Sequence, residues 1–392
     1  MPANPDDFTV TPYAVEGEID YDRLLEQFGA DRLTDAQIAR FPEPVHPLVR
    51  RKVFYAQRDV EPFLEAATSG QTHSIVTGRG PSGSMHIGHI APFYFAKYLQ
   101  DQTGALVYIP LSDDEKYFAK DKSIAEISTY TRENLREILA IGFDPNRTRI
   151  IIDTTDADVI YPLAAAFATE VTQSTVDATY GTPENIGLSF YPAIQATHLL
   201  LPQLVEGPHS TLVPIAVDQD PHVRLCRDIA AKQRYDVMKP GALLSKFLPS
   251  LEGPGKMSSS SDTPSILLSD DRETVREKVR TYAYSGGQSS VEAHREHGGN
   301  PEVDVSYQFL YYFFEESDER VEQLAREYRD GALLSGKLKE IAATKIADFL
   351  EGHQKRRAAL GSLDEELRPY RITANERQIA RQRVGYSDGL LI

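Results

Sequence analysis

The chain has 392 residues, enough for two or three domains at about 150 residues each, and its 41% hydrophobic and 26% charged content excludes disorder as the main state. Lys and Arg number 42 against 58 Asp and Glu, a net charge of −16 with only 14 Lys, which suits a surface built for high salt as well as an ordinary acidic protein. The single Cys226 excludes an internal disulfide or a Cys-rich zinc site and fits a reducing cytoplasm; no run nears the roughly 20 apolar residues of a membrane span, and the acidic N-terminus predicts no signal peptide.

Residues 1–70 read as an N-terminal extension. Asp20–Gln27 begins a short helix, Thr34–Phe41 another, and the proline-rich FPEPVHPLV is a linker. His73–Thr77 is a short β-branched run ended by GRGPSG, and Ile87–Gln102 then has helical spacing. Ala105–Ile109 is apolar and leads into the acidic LSDDEKYFAKDK. Thr129–Ile141 is helical, Thr148–Ile152 a strand and Val159–Gln173 a helix. Apolar runs follow at Thr211–Val217 and Ala242–Phe247. Short strands alternating with amphipathic helices predict βαβ units and a parallel sheet.

After about residue 270 the strands stop. Helical spacing covers Asp270–Tyr282, Glu319–Arg329 and Leu334–Leu360, with Leu338, Ile341, Ala342, Lys345, Phe349 and Leu350 near one face of the last. Val303–Phe314 is apolar and aromatic. The predicted architecture is an α/β core followed by a helical C-terminal region.

The segment Thr77–His89 (TGRGPSGSMHIGH) carries the most chemistry. It turns a strand into a helix at the carboxyl edge of a parallel sheet, where open α/β folds bind nucleotides. Its glycines let backbone approach a ligand, and the helix start offers N–H groups and a positive dipole end to phosphate. His86 and His89, three apart, fall on one face of the first turn. A glycine-rich turn with two capping histidines would look the same by itself. Lys256-Met257-Ser258-Ser259-Ser260, after the glycine-rich Glu252–Gly255, is a second motif: one Lys and several hydroxyls able to close on a pyrophosphate leaving group. Alone it reads as a Ser-rich linker; the two together, in this order, are specific.

These motifs resemble the two signatures of class I aminoacyl-tRNA synthetases, and the chain from about Thr11 to Leu360 is most similar to the archaeal and eukaryotic type of tryptophanyl-tRNA synthetase. The shared blocks include Asp113–Tyr117, Pro192–Ala196, Asp218–Pro221, Ser285–Gly287, Gly298–Asn300 and Asp304–Ser306. The resemblance implies a Rossmann-like parallel-sheet catalytic domain over 71–269, with a connective insertion at a dimer interface, and an α-helical anticodon-binding domain over 270–392. It implies ATP-dependent activation of tryptophan and its transfer to tRNA, Mg²⁺ travelling with ATP, a cytoplasmic homodimer without a membrane part, no resident metal and no editing domain.

By the same resemblance His86, His89, Lys256 and Ser258 are catalytic. Arg79, Gly80, Gly88, Asp218 and Met257 bind ATP, and Glu115, Gln195 and Gln219 bind the amino acid. Without it, Gln195 reads as a capped loop amide and Glu115 as one more surface acid. Lys355, Arg356 and Arg357 form a basic cluster whose plain reading is complementarity to a helix dipole rather than a tRNA contact. The sequence departs from the family at two places. Eukaryotic members meet the indole N–H with a Tyr just before Thr-Gly-Arg-Gly and a Gln just before the second-strand motif; Val76 and Pro110 stand there and accept no hydrogen bond. Tyr108, Ser112 or a backbone carbonyl then becomes the expected indole reader. The rival readings are a tyrosine-activating synthetase, for which Val76 supplies no partner to a phenol hydroxyl, and a non-catalytic paralogue, against which both intact motifs argue. A small nucleotidyltransferase lacks the second motif.

Overall fold

The computed structural model describes residues 9–10, 15–16, 20–119, 122–232, 234–256 and 264–387. At its centre is a seven-stranded sheet: β1 (Asp31–Arg32), β2 (Phe54–Arg58), β3 (His73–Val76), β4 (Leu106–Leu111), β5 (Thr148–Ile152), β6 (Ser210–Ala216) and β7 (Gly241–Ser245), in the order β1-β2-β7-β6-β3-β4-β5. The last five run parallel, as the alternating pattern predicts. β1 and β2 pair antiparallel at the edge, so residues read as an extension complete the sheet.

Strand alternation sends side chains to two apolar layers. Ile75, Val107, Ile109 and Ile150 face one layer, and Val76, Tyr108 and Ile151 face the other. From β3 the chain builds outward through β4 and β5, then returns to place β6 and β7 on β3's other side. The strand order therefore reverses between β3 and β6, which opens a crevice at their carboxyl ends.

Helix α1 (Ile87–Thr103) follows β3, α2 (Asp113–Ala119) and α3 (Ile124–Leu139) follow β4, and α4 (Ile186–Glu206) crosses before β6. The acidic segment after β4, given no element in the sequence reading, is a helix over Asp113–Ala119. The 21-residue α4 has no counterpart in the sequence reading. It carries Pro192 and Pro202, which read as helix breakers, and it is apolar nearly all round because it is buried on most sides. Helix α5 (Asp220–Ala230) follows β6.

Among the described residues no named strand follows Lys256. Helices Arg272–Tyr282, Val291–His297 and Val305–Phe309 lead into a π-helical turn, Leu310–Phe314, whose Leu310 and Tyr311 carbonyls accept from Arg51 at 3.3 and 2.7 Å. Asp318–Arg329 and α6 (Ser335–Ala358) follow. On α6, Leu338, Ala342, Ile346 and Leu350 are buried in the same apolar layer as Phe93 and Leu99, while Lys345 turns out to pair with Glu315 at 2.9 Å. The helical region and the α/β layer therefore share one core. Helix α7 (Ala374–Arg383) returns to the sheet, where Glu376 pairs with Arg149 at 2.8 Å and Arg371 and Arg377 both pair with buried Asp156.

Candidate active site

The crevice between β3 and β6 gathers two sequence motifs. Thr77–Met85 leaves β3, and Val217–Gln219 leaves β6 as a single 3₁₀ turn entering α5. Gly78 lets the first turn run tight against β4, since a Cβ there would lie 2.7 Å from Pro110 Cγ. Gly80 has no room for a Cβ either, because the Lys116 side chain lies across it.

His86 and His89 share one face of α1, as their spacing predicts. His86 is the N-cap: its Nδ1 accepts from the Gly88 N–H at 3.2 Å, and His89 Nδ1 accepts from the His86 N–H at 3.2 Å. This reciprocal pair is a capping box built from imidazoles in place of Ser and Glu. It stacks the rings with centroids 3.4 Å apart and consumes one nitrogen of each in holding the helix start. Arg79 curls inward. Its Nε donates to Asn134 Oδ1 and its guanidinium reaches the Gly83 carbonyl at 3.2 Å, so it braces the turn; burial lowers its pKa to about 9.

The second motif converges on the first. The described chain stops at Lys256, the end of the strand Gly253–Lys256 paired with Pro249–Ser250, and resumes at residue 264. There the Ile87 N–H donates to Ile266 O at 3.0 Å and the Leu268 N–H to Met85 O at 2.9 Å. The stretch after Lys256–Ser260 is thus bonded to the backbone on both sides of His86. Lys278 anchors it further through the Ser265 carbonyl at 2.8 Å and Asp270 at 2.6 Å. Met257 and Ser258 lie outside the described residues.

The residues expected to bind the amino acid are held by side-chain contacts. Glu115, on α2, is buried and pairs with Lys116 at 2.5 Å. Gln195, on α4, donates through Nε2 to the Tyr191 hydroxyl, which also bonds the Ser112 side chain. Gln195 is therefore a helix residue, not a capped loop amide. Gln219 donates to the buried Asp218 at 3.1 Å. Beside them Asp220, fully buried, holds Arg58 of β2 in a two-pronged pair at 2.6 and 2.7 Å. That pair fixes the turn carrying Asp218 and Gln219, and sequence reasoning missed it because its partners are 162 residues apart.

A second set was also missed. Asp153, the residue after β5, accepts from His198 Nε2 at 2.7 Å; both are buried. Asp114 bonds Asp153 and accepts from Tyr161 at 3.0 Å. Burial and the neighbouring Asp153 raise the Asp114 pKa to about 8, and burial pushes Asp153 upward too. Burial lowers His198 to about 4 despite the acids beside it. One proton shared by the two acids and a neutral imidazole satisfy this cluster better than three charges would.

Two of the three cations in the basic cluster of α6 are tied down. Arg356 Nε donates to Ala140 O at 2.9 Å and Arg357 pairs with Glu137 at 2.7 Å, which clamps α6 to α3. Among the described residues no group of three His, Cys, Asp or Glu is arranged to hold a metal ion, and no helix is long and apolar enough to cross a membrane.

Comparison with known proteins agrees with this geometry. Residues 68–351 match the family model for class I tRNA synthetases (W and Y). The chain is 61% identical over 378 residues to "Tryptophan--tRNA ligase 2" of Halobacterium salinarum, covering 96% of this chain and 98% of that one. The chain belongs to the tryptophanyl branch of the class I tRNA synthetases. It is 44% identical over 360 residues to the tryptophan–tRNA ligase of Saccharolobus solfataricus, 90% of this chain and 93% of that one. The solved tryptophanyl-tRNA synthetase of Plasmodium falciparum superposes with a TM-score of 0.82 at 33% identity, covering 93% of this chain and 97% of that one. The α/β sheet and helical C-terminal region are those of a tryptophanyl synthetase.

Proposed function

We propose that this synthetase is a tryptophan–tRNA ligase working in two steps at the β3/β6 crevice. The tryptophan carboxylate attacks the α-phosphorus of ATP, the bond to the bridging oxygen breaks, and pyrophosphate leaves. The terminal adenosine hydroxyl of tRNA then attacks the carbonyl of the adenylate and AMP departs. In-line phosphoryl chemistry of this kind needs positioning and charge stabilisation more than a base.

The observation that carries the reading is the bonding of Ile266 and Leu268 to the backbone flanking His86. It supports a second motif whose following residues meet α1, with Lys256 and Ser258 acting on the pyrophosphate while His86 and His89 meet the phosphates from α1. Met257 and Gly88 then flank the adenine, Gly80 gives the phosphates access to backbone, and Asp218 receives the ribose. Arg79 shapes the turn and faces the α-phosphate. Glu115, Gln195 and Gln219 take the amino and carboxylate groups of the amino acid. Mg²⁺ enters with ATP.

A cytoplasmic homodimer completes the proposal. Supporting it, Tyr117, Ile124 and Ile186 are exposed apolar side chains, and Asn185 beside Ile186 bonds the Phe118 carbonyl at 3.1 Å, which draws two of them onto one surface. The helical region over 270–392 is the proposed anticodon reader, acting through surfaces other than Arg356 and Arg357, which are occupied.

The test is amino-acid-dependent ATP–pyrophosphate exchange with all twenty amino acids from low to molar salt. Exchange with tryptophan alone is expected. Exchange with tyrosine, or with nothing at any salt, overturns the reading.

A further inference from the structure

Neither position where eukaryotic relatives read the indole N–H offers an acceptor here. Val76 is buried in the apolar layer, and the Pro110 ring is packed against Gly78. A site that bonds a substrate N–H discriminates far better than an apolar pocket, so the acceptor must be sought nearby. Tyr108 does not serve. The charges acting on its hydroxyl are Glu206, Glu376 and Arg149, at the end of α4 remote from Gln195. Ser112 is spent on the Tyr191 hydroxyl, which also accepts from Gln195.

We propose that His198 Nδ1 accepts the indole N–H of tryptophan. Tyr191, Gln195 and His198 stand at i, i+4 and i+7 of α4 and share one helix face. Tyr191 brings that face to Ser112, and His198 brings it to Asp153, whose N–H bonds Leu111 O at 3.2 Å at the end of β4. Pro110 and Ser112 alternate onto this same side of β4, and Val76 lies in the same apolar layer as Tyr191 and Ile194. His198 therefore faces the space that the missing Tyr and Gln would have addressed. Its ring is 1% exposed, and its Nδ1 has no hydrogen-bond partner among the described residues. A buried polar atom without a partner is uncommon and costly unless a ligand satisfies it.

The neighbours fix which nitrogen accepts. Asp114 carries the shared proton and donates to Asp153, leaving Asp153 to accept from His198 Nε2–H. Nδ1 then keeps its lone pair, and burial keeps the ring neutral. The carboxyl pair thus acts as a positioning device that selects the accepting tautomer. This inference rests on tryptophan being the substrate.

The experiment compares exchange kinetics for tryptophan and for its benzothiophene isostere, in which sulfur replaces the indole N–H. Wild type is expected to prefer tryptophan by about 10- to 100-fold in kcat/KM, the worth of one buried hydrogen bond. His198→Leu loses that preference through tryptophan alone, with the isostere and the KM for ATP nearly unchanged. His198→Asn, which keeps an oxygen near the Nδ1 position, recovers part of it. Because the ratio is internal to each variant, a general loss of fold does not imitate the effect. If neither variant folds, the wild-type imidazole ¹⁵N spectrum decides: the His198 Nδ1 resonance shifts on adding tryptophan and not on adding the isostere. An unchanged ratio in a folded variant, an unshifted resonance, or collapse of the ratio in Tyr191→Phe instead overturns the proposal. A wild type that does not activate tryptophan would instead overturn the substrate reading on which it rests.

Discussion

The two halves of the crevice are built by different means. Around β3 and α1 the proposed phosphate side is made of backbone: a glycine-rich turn, a helix start, and two histidines that bond N–H groups of their own turn. Around β4, β5, α4 and the turn after β6 the proposed amino-acid side is made of buried side chains that find partners across the fold, Arg58 of β2 with Asp220, Gln195 with Tyr191, and His198 with Asp153. Phosphate is alike in every substrate of this kind, and local backbone recognises it. An amino-acid side chain is particular, and recognising it takes long-range contacts.

The largest effect expected from this contrast is on stability. Arg58→Leu leaves Asp220, fully buried, with Arg224 at 3.2 Å, a residue about a third exposed, as its ion-pair partner among the described residues. Breaking a buried pair by removing one partner costs about 3–5 kcal/mol. Urea unfolding should register the loss, and Arg58→Leu with Asp220→Leu together should recover much of it. A loss below about 1 kcal/mol, the size of an exposed pair, would mean that Asp220 is solvated and the contrast is wrong.

His89→Ala tests the other half. It removes a ring of the phosphate site and the acceptor for the His86 N–H, and kcat for exchange should fall about 10²-fold, as for removal of one transition-state donor. The stability cost should be only that of a cap, about 1 kcal/mol. Equal losses in rate and stability would show the histidines to be capping residues alone.

Protonation gives a third comparison. Asp114 has an ordinary pKa of 3.8 and a folded value of about 8, so between those values the folded state holds a proton that the unfolded state releases. Stability from this group is complete below pH 3.8 and falls as pH rises to about 8. His198, lowered from 6.5 to about 4, acts oppositely, adding stability as pH rises from 4 to 6.5. The window from pH 6.5 to 8 therefore lies above that of His198 and belongs to the Asp114–Asp153 pair and the proton it shares. There the stability of wild type relative to Asp114→Asn should decline by about 1 kcal/mol per pH unit. A flat difference would mean that Asp114 is already ionised at pH 6.5.

What was legible in the sequence follows the same division. Thr77–His89 announced its turn and helix because glycine spacing and a helix start are local signals, and β5 was bounded correctly by its β-branched run alone. Helix α4 was not legible: Pro192 and Pro202 imitate breakers, and burial on most sides erases the amphipathic period. His198 and Arg58 were invisible for a related reason. Their meaning lies in partners 45 and 162 residues away, and a single buried His or strand Arg carries no local mark. β1 and β2, on either side of the proline-rich FPEPVHPLV, went unread because antiparallel strands of two and five residues leave too little pattern.

Tyr191→Phe should give the smallest effect, and it bears directly on how the amino-acid half works. The hydroxyl accepts from Gln195 and bonds Ser112, so its loss releases two donors rather than a charge. Gln195 is only half-buried and can take a water in exchange, which keeps the net cost near 1 kcal/mol. The KM for tryptophan should then rise about fivefold while kcat and the KM for ATP hold, because a bond that orients Gln195 acts on the ground state and the transition state alike. A hundredfold fall in kcat would place the hydroxyl against the reacting carboxylate. The amino-acid half would then do chemistry as well as recognition, and its separation from the phosphate half would fail.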